Sequence, residues 1–414
     1  MKKLAIVSNY HELCGISDYT ERIEPELRKI YDVTILRLNS AVLKSDDRRM
    51  IKLGNKLIEE MADQLDSFDC VNIQFEAGLY GPHSKIIKKR IVKLIRKSKN
   101  LIFTFHSVHL EVPKPNIKNL FGKTIFREIG HYFSARNLFL LYDSIVKEVK
   151  RVDLDKNRKA NIIVHDKKSA NFISNAYGFR NVYRHPLGLD NANSRNHGFS
   201  EKEYFEFREN YNVKKEDKVI GLFGFVSEYK GHLTAVKALD YLPDNYVIMI
   251  FGAQHPDSVR PFAKIDSYLG SLLNYIQEDD NKKKKNKNSG RLLSDRITFV
   301  GSISNEEFSR AMRCCDFVAL PHMEVGQMAS GVAAMAIENH ARALFSNTKC
   351  FHALKEDFEG CYETFDVGNY MQLASKILNY NDNHNKYIDE ALKIHNIENN
   401  VKLYTEIFER DKNV

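Results

Sequence analysis

Two doubly wound α/β domains in tandem are predicted, and three observations predict them. Short apolar runs rich in Val, Ile and Phe alternate with amphipathic stretches along nearly the whole chain. This strand–helix alternation implies a parallel sheet with helices on both faces. The pattern stops at "YRHPLGLD", residues 183–190, and then restarts, which places a domain boundary near 188–200.

In the first half, "KLAIVS", "YDVTILRL", "CVNIQF", "LIFTFH" and "RKANIIVHD" read as strands. "SDYTERIEPELRKI" reads as a helix capped near Ser17, and "KLIEEMADQL" as another. "SKIIKKRIVKLIRKSKN", residues 84–100, is a basic helix without an acid, with Ile87, Ile91, Leu94 and Ile95 on one face. Such a helix either packs on a core and leaves its charge to water or lies on an anionic membrane. Residues 108–150 form a helical elaboration in which Phe and Tyr mix with Lys and Arg.

In the second half the strands are "KVIGLFGFV", "YVIMIFG", "RITFVG", "FVALP" and "RALFSN". Between them lie helices at "HLTAVKALDYL", "SVRPFAKIDSYLGSLLNYIQ", "NEEFSRAMRCC" and "SGVAAMAIENH". "DDNKKKKNKNSG" reads as a solvated loop. A last helical pattern, "KYIDEALKIHNIENNVKLYTEIFER", follows without a further strand. The expected domains are residues 1–190, residues 191–378, and a terminal helical segment, 379–414, returning to the first domain.

Bulk properties narrow the function. The chain has 414 residues, 43% hydrophobic, with a net charge of +8, which favours anionic ligands or surfaces. Its six cysteines form no CxxC pair, so a zinc site or disulfide framework is not expected. The N-terminal apolar run is too short for a signal peptide, and no run approaches a membrane span. A cytoplasmic protein is expected.

Ligands of doubly wound domains bind just past the carboxyl ends of the strands. Gly15 precedes a helix start there, where backbone can approach an anion. Glu76 and His106 each follow a strand directly, and a strand-end histidine can move a proton near neutral pH. Beyond the boundary, Gly224, Gly252 and Gly301 end strands, and Lys230 offers a point charge for phosphate. In "HMEVGQMASG", Gly326 to Ser330 present successive backbone N–H groups, with Ser330 expected to cap the next helix. Asp153 and Asp155 form an Asp-x-Asp pattern but follow a helix, so they are not expected to bind metal.

"GISDYT", "FHSVH", "FGFVSEYKG", "FGAQHP", "ITFVGSISNEEFSRAMRCCDFVALP" and "EVGQMASG" occur in the order seen in glycosyltransferase family 4, which the chain resembles over almost its whole length. The resemblance implies the GT-B fold, two Rossmann-like domains facing a cleft, and sugar transfer from a nucleotide-sugar with retention at the anomeric carbon. It implies that Gly15 lies beneath the donor phosphates, His106 approaches the donor sugar, Lys230 binds the diphosphate and Glu324 holds the sugar hydroxyls. Gly224, Ser227 and Gly252 would line the donor site. Gly326, Gln327, Met328, Ala329 and Ser330 would hold phosphate, and Gly301 to Ile303 would border the base. Glu76 and Asp18 fall on the acceptor side. The nucleotide-sugar is a substrate, and neither a cofactor nor a metal is expected.

Two positions depart from the family pattern. Phe225 stands where an arginine is frequent, and Val332 where many members carry a second glutamate. Front-face displacement is the expected mechanism, with the donor phosphate taking the acceptor's proton. The acceptor would be a glycan or lipid-linked glycan of a bacterial surface polysaccharide, reached from the inner face of the membrane. A nucleotide-sugar 2-epimerase of the same fold and a non-catalytic partner subunit are the alternatives.

Overall fold

The computed structural model describes residues 1–12, 14–111, 125–189, 200–254, 267–285, 290–324 and 330–410. Two compact units emerge. One is Met1–Gly188 together with Ile397–Val414, and the other is Leu189–Asn396. Among the described residues each unit holds one six-stranded, all-parallel sheet.

In the first unit, β1 (Lys3–Ser8), β2 (Asp32–Arg37), β3 (Cys70–Phe75), β4 (Asn100–Phe105), β5 (Lys159–Val164) and β6 (Val182–Arg184) take the order β2-β1-β3-β4-β5-β6. Successive side chains of a strand point to opposite faces, and both faces are covered. Ala5, Val7, Ile73 and Phe103 pack with the helices Arg48–Gln64, Ser84–Lys97 and Ile125–Asp153. Leu4, Ile6, Ile102 and Ile163 pack with Gly15–Arg28 and with the last helix, Ile397–Glu409.

The basic helix buries Ile87, Ile91, Leu94 and Ile95, as its spacing predicts. Part of its charge is structural. Arg90 is buried and donates to Asn55 Oδ1 at 2.9 Å and to the carbonyls of Leu43, Tyr80 and Ile51 at 3.1, 2.8 and 3.1 Å. Lys93, Arg96 and Lys97 pair with Glu59, Glu148 and Asp66 of neighbouring segments. Lys85, Lys88 and Lys89 remain exposed.

In the second unit, β7 (Lys218–Phe223), β8 (Tyr246–Phe251), β9 (Ile297–Gly301), β10 (Phe317–Leu320), β11 (Ala343–Ser346) and β12 (Glu363–Phe365) take the order β12-β11-β10-β7-β8-β9. Ile220, Leu222, Ile248 and Ile250 share a core with residues of the helices His232–Ala238, Tyr268–Lys285 and Tyr370–Leu378. On the opposite face Phe223 and Phe251 stack at 4.8 Å and meet Phe308 and Phe207.

Several expectations need correction. Strands β6 and β12 are absent from the sequence reading. Each is three residues long at a sheet edge, too short to show a pattern. The first helix starts at Gly15 with Cys14 as its uncapped N-cap, not at Ser17. Ser17 is buried in the first turn, where its hydroxyl accepts from Glu12 N and donates to Glu21.

The lysine run is not all loop, because the helix Tyr268–Lys285 continues through it. Lys283 pairs one turn back with Asp279 and also with Asp240, and lysine is itself a good helix former. The final pattern is two helices, Asn385–Ile394 in the second unit and Ile397–Glu409 in the first. Asp153 and Asp155 accept backbone N–H groups of Ala160 and Asn157, a structural use.

Tyr404 fixes the returning helix. Its hydroxyl lies 2.9 Å from Thr104 Oγ1 and 3.2 Å from Tyr19 OH, and Tyr19 donates to Asn400 Oδ1 at 2.8 Å. Tyr404→Phe removes its contacts with Thr104 and Tyr19 and leaves buried hydroxyls short of a partner. It should lower unfolding free energy by about 1–2 kcal/mol, as read from the urea midpoint.

Candidate functional site

Each unit gathers polar groups past the carboxyl ends of its strands. In the first unit these ends are Asn9, Glu76, His106 and His165. His106 donates its backbone N–H to Phe75 O, which sets it beside β3. Both of its ring nitrogens are engaged. Nε2 lies 2.7 Å from Gln74 Oε1, and Nδ1 lies 3.3 Å from His165 Nε2. His165 Nδ1 in turn faces His185 O at 2.9 Å. Burial, and for His106 the neighbouring His165, push both imidazoles below their usual basicity, so the two do not charge together. Tyr19, one residue past Asp18, sets its ring edge-on to His106 at 5.2 Å and to His165 at 5.6 Å.

Glu76 caps the short helix Ala77–Tyr80 through Ala77 N. Its other oxygen accepts from Ser107 Oγ at 2.6 Å, and Ser107 also meets Tyr142 OH at 2.7 Å. Burial raises its carboxyl above the usual range, against the pull of these donors. Gly15 is exposed, and a Cβ there would meet nothing within 4 Å, so its face is open to a ligand. Asp18 lies in the same first turn.

In the second unit the turn Glu228–Lys230 follows β7. Gly231 closes it with φ +67°, and a Cβ there would lie 1.8 Å from Pro321 O. Gly224 has φ +103°, and a Cβ there would stand 3.3 Å from Lys230 Cε and 3.4 Å from its Nζ. Gly252 meets Gly224 closely enough that a Cβ would lie 2.0 Å from Gly224 O. Gly252 also bridges Gly301, which has φ +87° and open space. Glycine is thus required here partly for backbone packing and partly to leave room for Lys230.

Lys230 is buried. Its Nζ lies 3.2 Å from His322 Nε2 and 5.1 Å from the centre of the Tyr229 ring. Burial lowers its pKa to about 8, and among the described residues no carboxylate acts on it. Burial and the lysine charge also hold His322 and His232 far below imidazole's usual range, so both are neutral. His322 therefore offers the ammonium a lone pair and no negative charge. Ser346 Oγ donates to His322 O, and Met323 N donates to Tyr229 O at 2.7 Å, which clasps the two loops.

Glu324 is exposed, and its Oε2 accepts from Lys349 N at 2.9 Å at the start of Lys349–Lys355. The Cys350 thiol, pushed up to about 12 by burial, senses both Lys230 and Glu324. Ser330 caps Gly331–Glu338 through Ala333 N, as its position in the sequence suggests. Val332 on that helix stands 3.9 Å from where a Gly224 Cβ would be. Ser227 begins the lysine turn and accepts Lys230 N at 3.0 Å. Ile303 is half-buried past β9. Gly326, Gln327, Met328 and Ala329 lie outside the described residues, as do residues 112–124 of the segment 108–150.

The structure thus brings Gly224, Lys230, Gly252 and Gly301 together in one unit, and Glu76, His106 and the Gly15 helix in the other. Sequence reasoning missed His165 and His322. His165 directly follows β5 in "IIVHD" and His322 lies two residues past β10 in "VALPH", so both fall where the rule that singled out His106 looks. Gln74, Tyr19 and Tyr404 carried no such signal, because they act from inside a strand or helix.

No family model matches the chain, and no curated protein does. Solved structures do. Anabaena HepE in complex with UDP superposes with a TM-score of 0.63 at 15% identity, over 98% of this chain and 99% of that one. Sucrose-phosphate synthase from Thermosynechococcus elongatus gives 0.66 at 14%, over 99% of each chain. WaaG, a glycosyltransferase involved in lipopolysaccharide biosynthesis, gives 0.59 at 11%, over 99% and 100%. The likeness is one of fold, the two-sheet α/β architecture expected as GT-B.

Proposed function

We propose that this chain is a glycosyltransferase that takes a sugar from a nucleotide-sugar and passes it, with retention, to a glycan or lipid-linked acceptor. The observation that carries the reading is Lys230, a buried ammonium that no carboxylate partners among the described residues. A buried charge without a counter-ion is unfavourable, and an incoming diphosphate would supply one. Gly224, Gly252 and Gly301 keep the strand ends around it bare of side chains. In the reaction the sugar C1–O bond to phosphate breaks and the acceptor oxygen bonds C1 on the same face. The acceptor proton passes to the departing phosphate oxygen, and Lys230 offsets the charge that remains. No metal or cofactor takes part in this scheme, and Glu324 holds sugar hydroxyls.

A panel of UDP-, GDP- and ADP-sugars in a thermal-shift assay tests the reading. At a hundred times Kd, a ligand that binds only the native state adds about 2.7 kcal/mol, or roughly 5–10 °C for units of this size. A shift with one sugar-nucleotide in the wild type and none in Lys230→Met supports the reading. Equal shifts in both would refute it.

Peripheral attachment to the inner face of a membrane, in surface polysaccharide synthesis, is part of the same proposal. Exposed Lys85, Lys88 and Lys89, and exposed Ile129, Phe133 and Leu140 on the long helix, favour it. Among the described residues no helix is long and apolar enough to cross a membrane. The protein should co-sediment with vesicles containing phosphatidylglycerol at low salt and be released as salt rises. Recovery entirely in the supernatant at low salt would sink the membrane part.

A further inference from the structure

We infer that His106 and His165 hold one proton between them, so that His106 offers a fixed positive charge at the end of β4 rather than a free ring nitrogen. A buried hydrogen-bond chain runs through the two rings, and its two ends are backbone carbonyls. A carbonyl can only accept, so each end dictates the direction of every bond leading to it.

At one end Ile102 O takes Asn72 Nδ2–H at 3.1 Å. Asn72 therefore turns Oδ1 toward Gln74, which must donate Nε2–H, at 2.5 Å. Gln74 then presents Oε1 to His106, so His106 Nε2 carries a hydrogen at 2.7 Å. At the other end His185 O accepts from His165 Nδ1–H at 2.9 Å.

The directions collide where His106 Nδ1 and His165 Nε2 face each other at 3.3 Å. With both rings neutral, two lone pairs oppose across that gap. One added proton makes it an N–H···N bond and gives the pair a single charge. Burial lowers the basicity of both rings and so opposes this proton, relief of the opposed lone pairs favours it, and a second proton would find no acceptor between the rings.

The surrounding groups suit one charge. Tyr19 from the helix Gly15–Arg28 presents its ring edge. Burial lowers the basicity of His165, and its bond to His185 O and the neighbouring Asp166 work against that effect. Tyr404 reaches Gln74 at 3.5 Å. Glu76 is spent on Ser107 and Ala77, and His185 Nδ1 faces Pro186 O at 2.6 Å. His109 leans on Tyr142. His165 and Gln74 are thus positioning residues for His106. This use rests on the proposed reaction, in which His106 would offer its charge to the substrate.

Imidazole NMR of the ¹⁵N-histidine-labelled full chain, without nucleotide, from pH 5 to 9 tests the proton directly. Signals are assigned with H106Q and H165Q, or by contacts to the Tyr19 ring where a variant does not fold. Expected are His106 protonated at Nε2, His165 at Nδ1, and a third, far-downfield proton shared between them that disappears as pH rises. In Gln74→Glu its disappearance should move up by at least about one pH unit, since a carboxylate now accepts from His106. A bare Nε2 on His106, or no third proton down to pH 5, overturns the inference. Neither result bears on nucleotide binding at Lys230, so the two failures are distinguishable.

Discussion

Lys230→Met is expected to lower kcat/KM by about 10²–10³-fold, the scale of losing one preorganised donor to a developing anion, and yet to make the empty protein more stable. The two effects have one cause. Burial takes the Lys230 pKa from 10.5 to about 8. At roughly 1.4 kcal/mol per unit this is about 3 kcal/mol against folding.

Between about pH 8 and 10.5 the unfolded chain keeps this proton and the folded chain releases it, so stability rises with pH across that window. Below about pH 8 the whole cost is present. Methionine has nearly the same shape and no charge, so urea midpoints should rise at pH 7, and rise less at pH 10. Nucleotide affinity should run the other way. A bound diphosphate restores the lysine's proton affinity, so wild-type binding should weaken as pH climbs through about 8, while Lys230→Met binds weakly at every pH. Isothermal titration of UDP at pH 7 and 9.5 measures this. Equal affinity of wild type and variant would remove Lys230 from the site.

Gly231→Ala should be the most damaging single methyl. The added Cβ would fall 1.8 Å from Pro321 O and 2.9 Å from its carbon, both backbone atoms, at φ +67°. Left-handed backbone alone costs a non-glycine residue about 1–2 kcal/mol. The clash must also push the "PHM" segment away, which breaks the 2.7 Å bond from Met323 N to Tyr229 O and separates His322 from Lys230. A loss of about 3–5 kcal/mol is expected, with nucleotide binding lost in whatever protein still folds. Gly301→Ala is the control. It has φ +87° but open space around the Cβ, so only the conformational part should appear in its thermal midpoint. Similar losses in the two variants would show that the clash with Pro321 is relieved at little cost.

How much of this was legible in the sequence depends on where the signal lies. The central strands were legible because burial on both faces favours apolar runs such as "YVIMIF" and "LAIV". The edge strands β6 and β12 were not, because three residues pair without needing a pattern. His106 was legible as a polar residue directly after an apolar strand, and Lys230 as a cation in the loop that follows one. That Lys230 is clasped by His322, or that neither nitrogen of His106 is free, follows from side-chain partners 92 and 32 residues away in sequence. Local periodicity carries no record of such contacts. Glu324 shows a further limit. Its spacing identified it, but its contact with Lys349 N comes from how β11 runs into the next helix.

The first unit is not a continuous piece of chain. Its sheet is built by residue 184, but the helix that covers Leu4, Ile6, Tyr19 and Ile23 arrives only with Ile397–Glu409. During synthesis this half therefore leaves the ribosome with an apolar face bare and with Thr104 and Tyr19 lacking the hydroxyl of Tyr404. It must wait in that state while the other unit is translated. Chaperone dependence and aggregation should concentrate in this interval. A chain cut after Asn396 would remain in it permanently, with every residue of the Lys230 loop still present.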